Sequence, residues 1–233
     1  MTFGIVMRYL DFRDLVNMVL RIQDKCFFNF EKTYLAINCV DNAHVCMIRL
    51  QIPSGAFESY EIDEPFKIGL ELNKLKWFTE MAYGFIHITE IGDNTINLQS
   101  GKFSLVMIGV DEVQIKKEPD EPSLSYISSM IVKSSDMRKF LKPFKNDITE
   151  IRVSGIDNTS FFTADDFTYA VDNYIGKSDV STIYSFDYFK SMFRDVKGDV
   201  MIELSDDHPC KVHLNLNGIY IGYYLLAPRI KGD

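Results

Sequence analysis

The chain has 233 residues, 46% of them hydrophobic and 25% charged, with a formal net charge of −8 at pH 7. That length allows one large domain or two of ordinary size, and no apolar run reaches the ~18 residues a membrane span needs. The acidic balance excludes a protein that grips nucleic acid with its whole surface, but not one that does so with a single face.

In chain order, residues 2–8 read as a strand. The stretch 11–25 then places Phe12, Leu15, Val16, Val19 and Leu20 at helical spacing, with Arg13, Asn17 and Arg21 opposite. No small-residue cleavage site follows the short apolar start, so no signal peptide is read. Strand-like runs follow at 26–31, 34–40 and 45–53, broken by turn residues such as Asp41-Asn42. A further strand, FKIGLEL, leads to a second helix over 73–82. After it come strands at 85–90, 95–99 and 102–109, with the turn GDNT between the first two. The charged, Pro-bearing, aperiodic segment 111–123 reads as a linker.

The second half repeats this order. A strand near 127–133 precedes a helix in SSDMRKFLKPFKN, with Ser135 as N-cap and Asp136 in the first turn. Pro143 should end or kink that helix. Strands at 149–154, 158–163, 167–174 and 181–185 lead to a helix over 186–197 and three last strands at 199–204, 210–215 and 219–226. One strand-helix-three-strand unit thus occurs four times. The expected fold class is α+β: two similar domains, each of two β-α-β-β-β units, with the helices on one side of the sheets. The expected boundaries are 1–110, a connector at 111–125, and 126–233.

No Gly-rich phosphate loop and no H-E-x-x-H occurs. In HPCKVH, zinc is the sharp reading, but on a strand His208 and Cys210 share a face while His213 points away. Asp165-Asp166 fits a hairpin turn, where nothing apolar is placed to raise a pKa. Cys26, Cys39, Cys46 and Cys210 lack a paired spacing and read as buried thiols of an intracellular protein. No catalytic residue, metal or cofactor is assigned, so the chain is not expected to be an enzyme. A nuclease would need clustered carboxylates with a metal.

Positive charge is placed less evenly than the total suggests. All four expected helices carry it: Arg13 and Arg21; Lys74 and Lys76; Arg138, Lys139, Lys142 and Lys145; Lys190, Arg194 and Lys197. A solvated helix face is the ordinary account of one such helix. Four on one side would make a surface suited to phosphates without base-specific contacts.

The segment DNAHVCMIRLQIPSGAFESYEID (41–63) strongly resembles the Asp-x-x-His-Val segment of the DNA sliding clamps, the proliferating cell nuclear antigen family of archaea and eukaryotes. YYLLAPRI and DDHPCKVHL match the family's ending and the turn-Pro-strand stretch before it. The resemblance implies three subunits head to tail in a ring, with the helices lining a hole for double-stranded DNA. By it, Arg13, Arg21, Lys74, Lys76, Lys139, Lys142, Lys145, Lys190, Arg194 and Lys197 face the DNA. Implied partners are DNA polymerase, a clamp loader, flap endonuclease and DNA ligase, in an intracellular, DNA-associated protein without membrane contact.

Clients of the family insert an aromatic plug into a pocket below the connector. Carried over by position, that pocket uses Val40, His44, Val45, Met47, Ile115, Pro209, Ala227 and Pro228, while Arg229 and Ile230 offer main-chain groups. The apolar end of the chain is then one wall of a binding site. The chain departs from the family where Trp77 and Glu80 stand at positions often lysine, and where Lys117 replaces an apolar connector residue. A checkpoint-type clamp, or one subunit of a mixed ring of paralogues with restricted clients, is the alternative expectation to a homotrimer.

Overall fold

The structure is a computed structural model that describes residues 3–117, 120, 122–144 and 148–229. Four repeats follow one another along the chain. The first is β1 (Phe3–Arg8), α1 (Tyr9–Leu20), β2 (Lys25–Phe30), β3 (Tyr34–Val40) and β4 (Cys46–Pro53). A short strand, β5 (Ser59–Ile62), precedes the second repeat: β6 (Phe66–Glu71), α2 (Leu72–Met81), β7 (Phe85–Gly92), β8 (Thr95–Ser100) and β9 (Phe103–Ile108). The third is β10 (Ser128–Lys133), α3 (Ser134–Leu141), β11 (Glu150–Ile156), β12 (Thr159–Ala164) and β13 (Phe167–Val171), again followed by a short strand, β14 (Tyr174–Gly176). The fourth is β15 (Val180–Ser185), α4 (Phe186–Met192), β16 (Asp199–Leu204), β17 (Cys210–Leu216) and β18 (Ile219–Leu226).

The chain forms two compact units. One is Met1–Pro119 with Ile219–Gly222; the other is Asp120–Gly218 with Tyr223–Asp233. Within each, the two repeats exchange their first strands. In the first unit β1 joins β7, β8 and β9, with β5 on its far side, while β6 joins β2, β3 and β4. In the second, β10 joins β16 and β17, with β14 on its far side, while β15 joins β11, β12 and β13. Each repeat's sheet is thus completed by the first strand of the other. The pairings are antiparallel, so neighbouring strands need only short turns. Asp93-Asn94 and Asp157-Asn158 make two of those turns with positive φ, a conformation short polar side chains tolerate.

The cores are apolar and aromatic. In the first unit α1 buries Phe12, Leu15, Val16 and Val19, and α2 buries Leu72, Leu75 and Phe78. The two helices pack against each other. In the second unit Phe162 meets Phe189, which in turn meets Tyr184 and Phe193 at ring-centroid separations of 5.2–6.5 Å. Such offset and tilted pairs add to the stabilisation from area burial.

Several element bounds differ from expectation, each for a physical reason. α1 starts at Tyr9 and stops at Leu20, with Arg21 as its C-cap and Asp11 in the first turn beside Arg8 at 2.8 Å. Its buried face also includes Asp11 and Asp14, whereas Leu20 is half-buried. α3 starts at Ser134 with Lys133 as N-cap, so Ser135 is not the cap; its hydroxyl meets Asp136 instead. That helix stops at Leu141, because Pro143 has no N–H to donate back one turn.

α4 stops at Met192, five residues short of expectation, so Arg194 and Lys197 lie beyond it and the helical spacing with Lys190 fails. The stretch after α4 includes the weak helix formers Asp195 and Val196 and ends on Gly198 at φ +75. The guanidinium of Arg138 takes up the carbonyls of Phe193 and Val196 that a longer helix would have used. Strand 167–174 is two strands, broken at Asp172-Asn173 so that Tyr174–Gly176 pairs with β10.

Candidate DNA-facing and client-binding residues

Between β3 and β4 the chain turns through Asp41 to Val45. The Asp41 carboxylate, itself buried, accepts the N–H groups of Ala43 at 3.1 Å and of Val45 and Cys46 at 2.8 Å each. One side chain thereby satisfies three donors of a tight turn, the arrangement in which Asp competes best with regular structure. The turn holds His44 exposed at φ +56. Val40 and Met47 face each other across the ladder and are both buried.

The start of the connector is fixed to the same unit. Ile115 lies on Gly69 of β6, where a Cβ would come within 2.2 Å of its Cδ1 and 2.8 Å of the Val110 carbonyl. Only glycine leaves room for the chain to run there. The Lys116 ammonium donates to the Asp41 carbonyl at 2.7 Å, and Gln23 donates to the Val40 carbonyl at 2.8 Å and the Asn42 side chain at 3.0 Å. Val40, Val45, Met47 and Ile115 therefore belong to one braced group. Lys117, next along, is exposed.

In the second unit the terminus docks on β15. Pro228 bridges to Tyr184, and the Arg229 N–H donates to the Ile183 carbonyl at 2.8 Å. The Arg229 guanidinium reaches the Thr149 carbonyl at 2.9 Å and Glu150 at 3.5 Å. Of the main-chain groups expected to serve clients at Arg229, the N–H is bonded within the fold, to Ile183. Tyr184, fully buried, donates to the His208 carbonyl at 2.9 Å next to Pro209, and burial pushes its phenol far above the usual tyrosine range. Pro209, Ala227 and Pro228 are half-buried. Ile230 lies outside the described residues.

The basic residues differ in exposure and in the contacts they make. Arg13 pairs with buried Asp14 at 3.2 Å, and Arg21 is the half-buried C-cap of α1. Lys74 meets Glu71 at 2.9 Å, a solvated pair of small energetic weight, and Lys76 is exposed. Lys139 and Lys142 are exposed at the end of α3. Lys190 is half-buried, donates to the Phe144 carbonyl and lies over the Phe186 ring, so it serves the local fold first. Arg194 and Lys197 are exposed on the loop after α4. Lys145 lies outside the described residues. The structural use of Arg138, Lys116 and Gln23 was not legible, since each acts on carbonyls far away in sequence.

The residues weighed for zinc go elsewhere. His208 sits at a turn with its ring nitrogen 2.9 Å from the Asp206 carbonyl, His213 meets Glu203 at 2.8 Å, and Cys210 is wholly buried, its thiol pushed up to about 12 by burial. Two strands at sheet margins, β9 and β13, show apolar side chains: Phe103, Val106 and Ile108 on one, Phe167 on the other. Beside β13 a cavity of about 700 Å³ is lined by Phe140, Phe144, Phe167 and Tyr169, with Asp136 and Lys139 at its rim.

A profile of the proliferating cell nuclear antigen N-terminal domain matches residues 6–107. A DNA polymerase sliding clamp of Haloarcula marismortui is 28% identical over 229 residues, covering 90% of this chain and 91% of its own. One of Methanococcoides burtonii is 24% identical, covering 95% and 96%. Over residues 6–107 the chain thus matches the N-terminal domain of that family, and over nearly its whole length it is similar to DNA polymerase sliding clamps. The family fold extends over the whole chain. A structure of A. fulgidus PCNA with the C-terminal region of FEN-1 bound has a TM-score of 0.90 at 18% identity, with all of both chains covered. The PCNA2–PCNA3 complex of Sulfolobus tokodaii gives 0.83 at 17% identity over 97% of this chain and 99% of that one. The α+β class with two domains of paired repeats, read from periodicity, is that of this family.

Proposed function

We propose that the chain is a subunit of a ring-shaped DNA sliding clamp, which encircles duplex DNA and tethers polymerase, ligase and flap endonuclease during replication and repair. The observation that carries this reading is the near full-length correspondence with chains named DNA polymerase sliding clamp. The chain acts as a tether and performs no catalysis. Subunits join head to tail through the open strands β9 and β13, since exposed apolar edges favour strand addition and a heterologous contact closes into a ring when its rotation fits.

Among the described basic residues, exposed Lys76, Lys139, Lys142 and Arg194 provide the main contacts to phosphate. Such contacts are weak and unspecific, so the ring slides, and topological closure supplies the retention that affinity does not. On the first unit clients bind through the residues around Val40 to Met47 with Ile115; on the second they bind through Pro209 with Ala227 to Arg229. Replacing Lys139, Lys142 and Arg194 with Ala tests the lining: clamp-dependent synthesis should weaken and its log–log salt slope should fall by roughly one per lost contact. An unchanged slope would mean that these residues do not face DNA.

A second reading, one subunit of a mixed ring, draws on the fold shared with a PCNA2–PCNA3 complex. Lys117 would then restrict the clients that this subunit takes. The solution mass of the purified chain decides between them: a trimer supports the single-chain ring, and a monomer or dimer the mixed one.

A further inference from the structure

We infer that the exposed face of α2 binds an unpaired base of single-stranded DNA, with Trp77 stacking on it and Lys74 and Lys76 holding the flanking phosphates. This rests on the clamp reading, since it presumes that the α2 face meets nucleic acid. Trp77 is the chain's one tryptophan, and it is 60% exposed on a helix whose buried side is Leu72, Leu75 and Phe78. A large aromatic ring left in water on a lysine-bearing helix implies a partner that offers both an apolar face and negative charge. Lys74 lies one turn before it on the same face, and exposed Lys76 is the neighbouring residue round the helix, so their long side chains reach phosphates of a strand whose base stacks on the indole.

Charge alone is not enough here. Glu71 already pairs with Lys74, and exposed Glu80 follows one turn later, which leaves the face with little net attraction for a phosphate chain. The indole supplies what the charge lacks. Intact duplex shows only base edges and sugars to a side chain, and opening it costs stacking energy; an unpaired base offers its π-face freely. The ligand is therefore the single-stranded part of a gap or primer junction.

Because Trp77 is the chain's single indole, its fluorescence reports on this face alone. Titrating the purified chain at low salt with a short oligothymidylate should quench the emission saturably, and a duplex of equal length should quench it far less. With a labelled oligothymidylate read by anisotropy, Trp77→Ala should weaken binding roughly tenfold with an unchanged salt slope, and Trp77→Phe should restore most of it. Equal quenching by duplex, or none by the single strand, overturns the inference. Loss of affinity in the Ala variant without rescue by Phe does so as well. If Trp77 stays silent while Lys139 and Lys142 still set the salt slope of duplex binding, only this inference fails. If neither DNA form binds and polymerase is not stimulated, the clamp reading fails with it.

Discussion

Asp41 shows what a signature residue is for. Its carboxylate closes the turn that presents His44 and Val45, while Lys116 ties the connector to that turn's carbonyl. The motif was legible in the sequence, but the hydrogen bonds behind it were not, because Lys116 lies 75 positions away. Lys116→Ala should leave folding intact and raise the Kd of an aromatic-plug client peptide roughly fivefold, about 1 kcal/mol, as the connector loses its anchor. Unchanged affinity in a peptide titration would show that the tie is incidental. The thiols give a second test at this scale. All four cysteines are buried and Cys210 is pushed up to about 12 by burial, so little reactive thiolate forms near neutral pH. Thiol reagents should label the native chain slowly and all four sites after denaturation; rapid native labelling of Cys210 would contradict its burial.

At the level of elements, the alternation of period identified four helices and most strands, because each long element has one clear face. What escaped were β5 and β14, too short to show a period, and the early end of α4, set by Arg138 reaching from another helix. Every residue of the proposed lining was named from the sequence as charge on an expected helix; the structural commitments of Arg138 and Lys190 were not legible, because their acceptors are main-chain carbonyls that sequence cannot rank. The open strands β9 and β13 carry the assembly claim. Proline at Val106 or at Tyr169 deletes a main-chain donor of an edge strand and should yield folded monomers. Circular dichroism would confirm the fold and light scattering the mass. If both variants kept the assembled mass of the parent, these strands would not be the contacts.

For the whole molecule, a net charge of −8 and a role on DNA are readily reconciled when retention does not depend on affinity. A closed ring meets that condition: its contacts to phosphate stay few and screened, and leaving the DNA requires opening an interface or reaching an end. The most direct test is retention after loading by the clamp loader of the same source, on nicked circular DNA, followed by a wash in high salt. The account predicts that the protein stays on the circle through the wash and leaves promptly once the circle is cut to a linear molecule. Release from the intact circle by salt alone, or retention on the linear form, would contradict it.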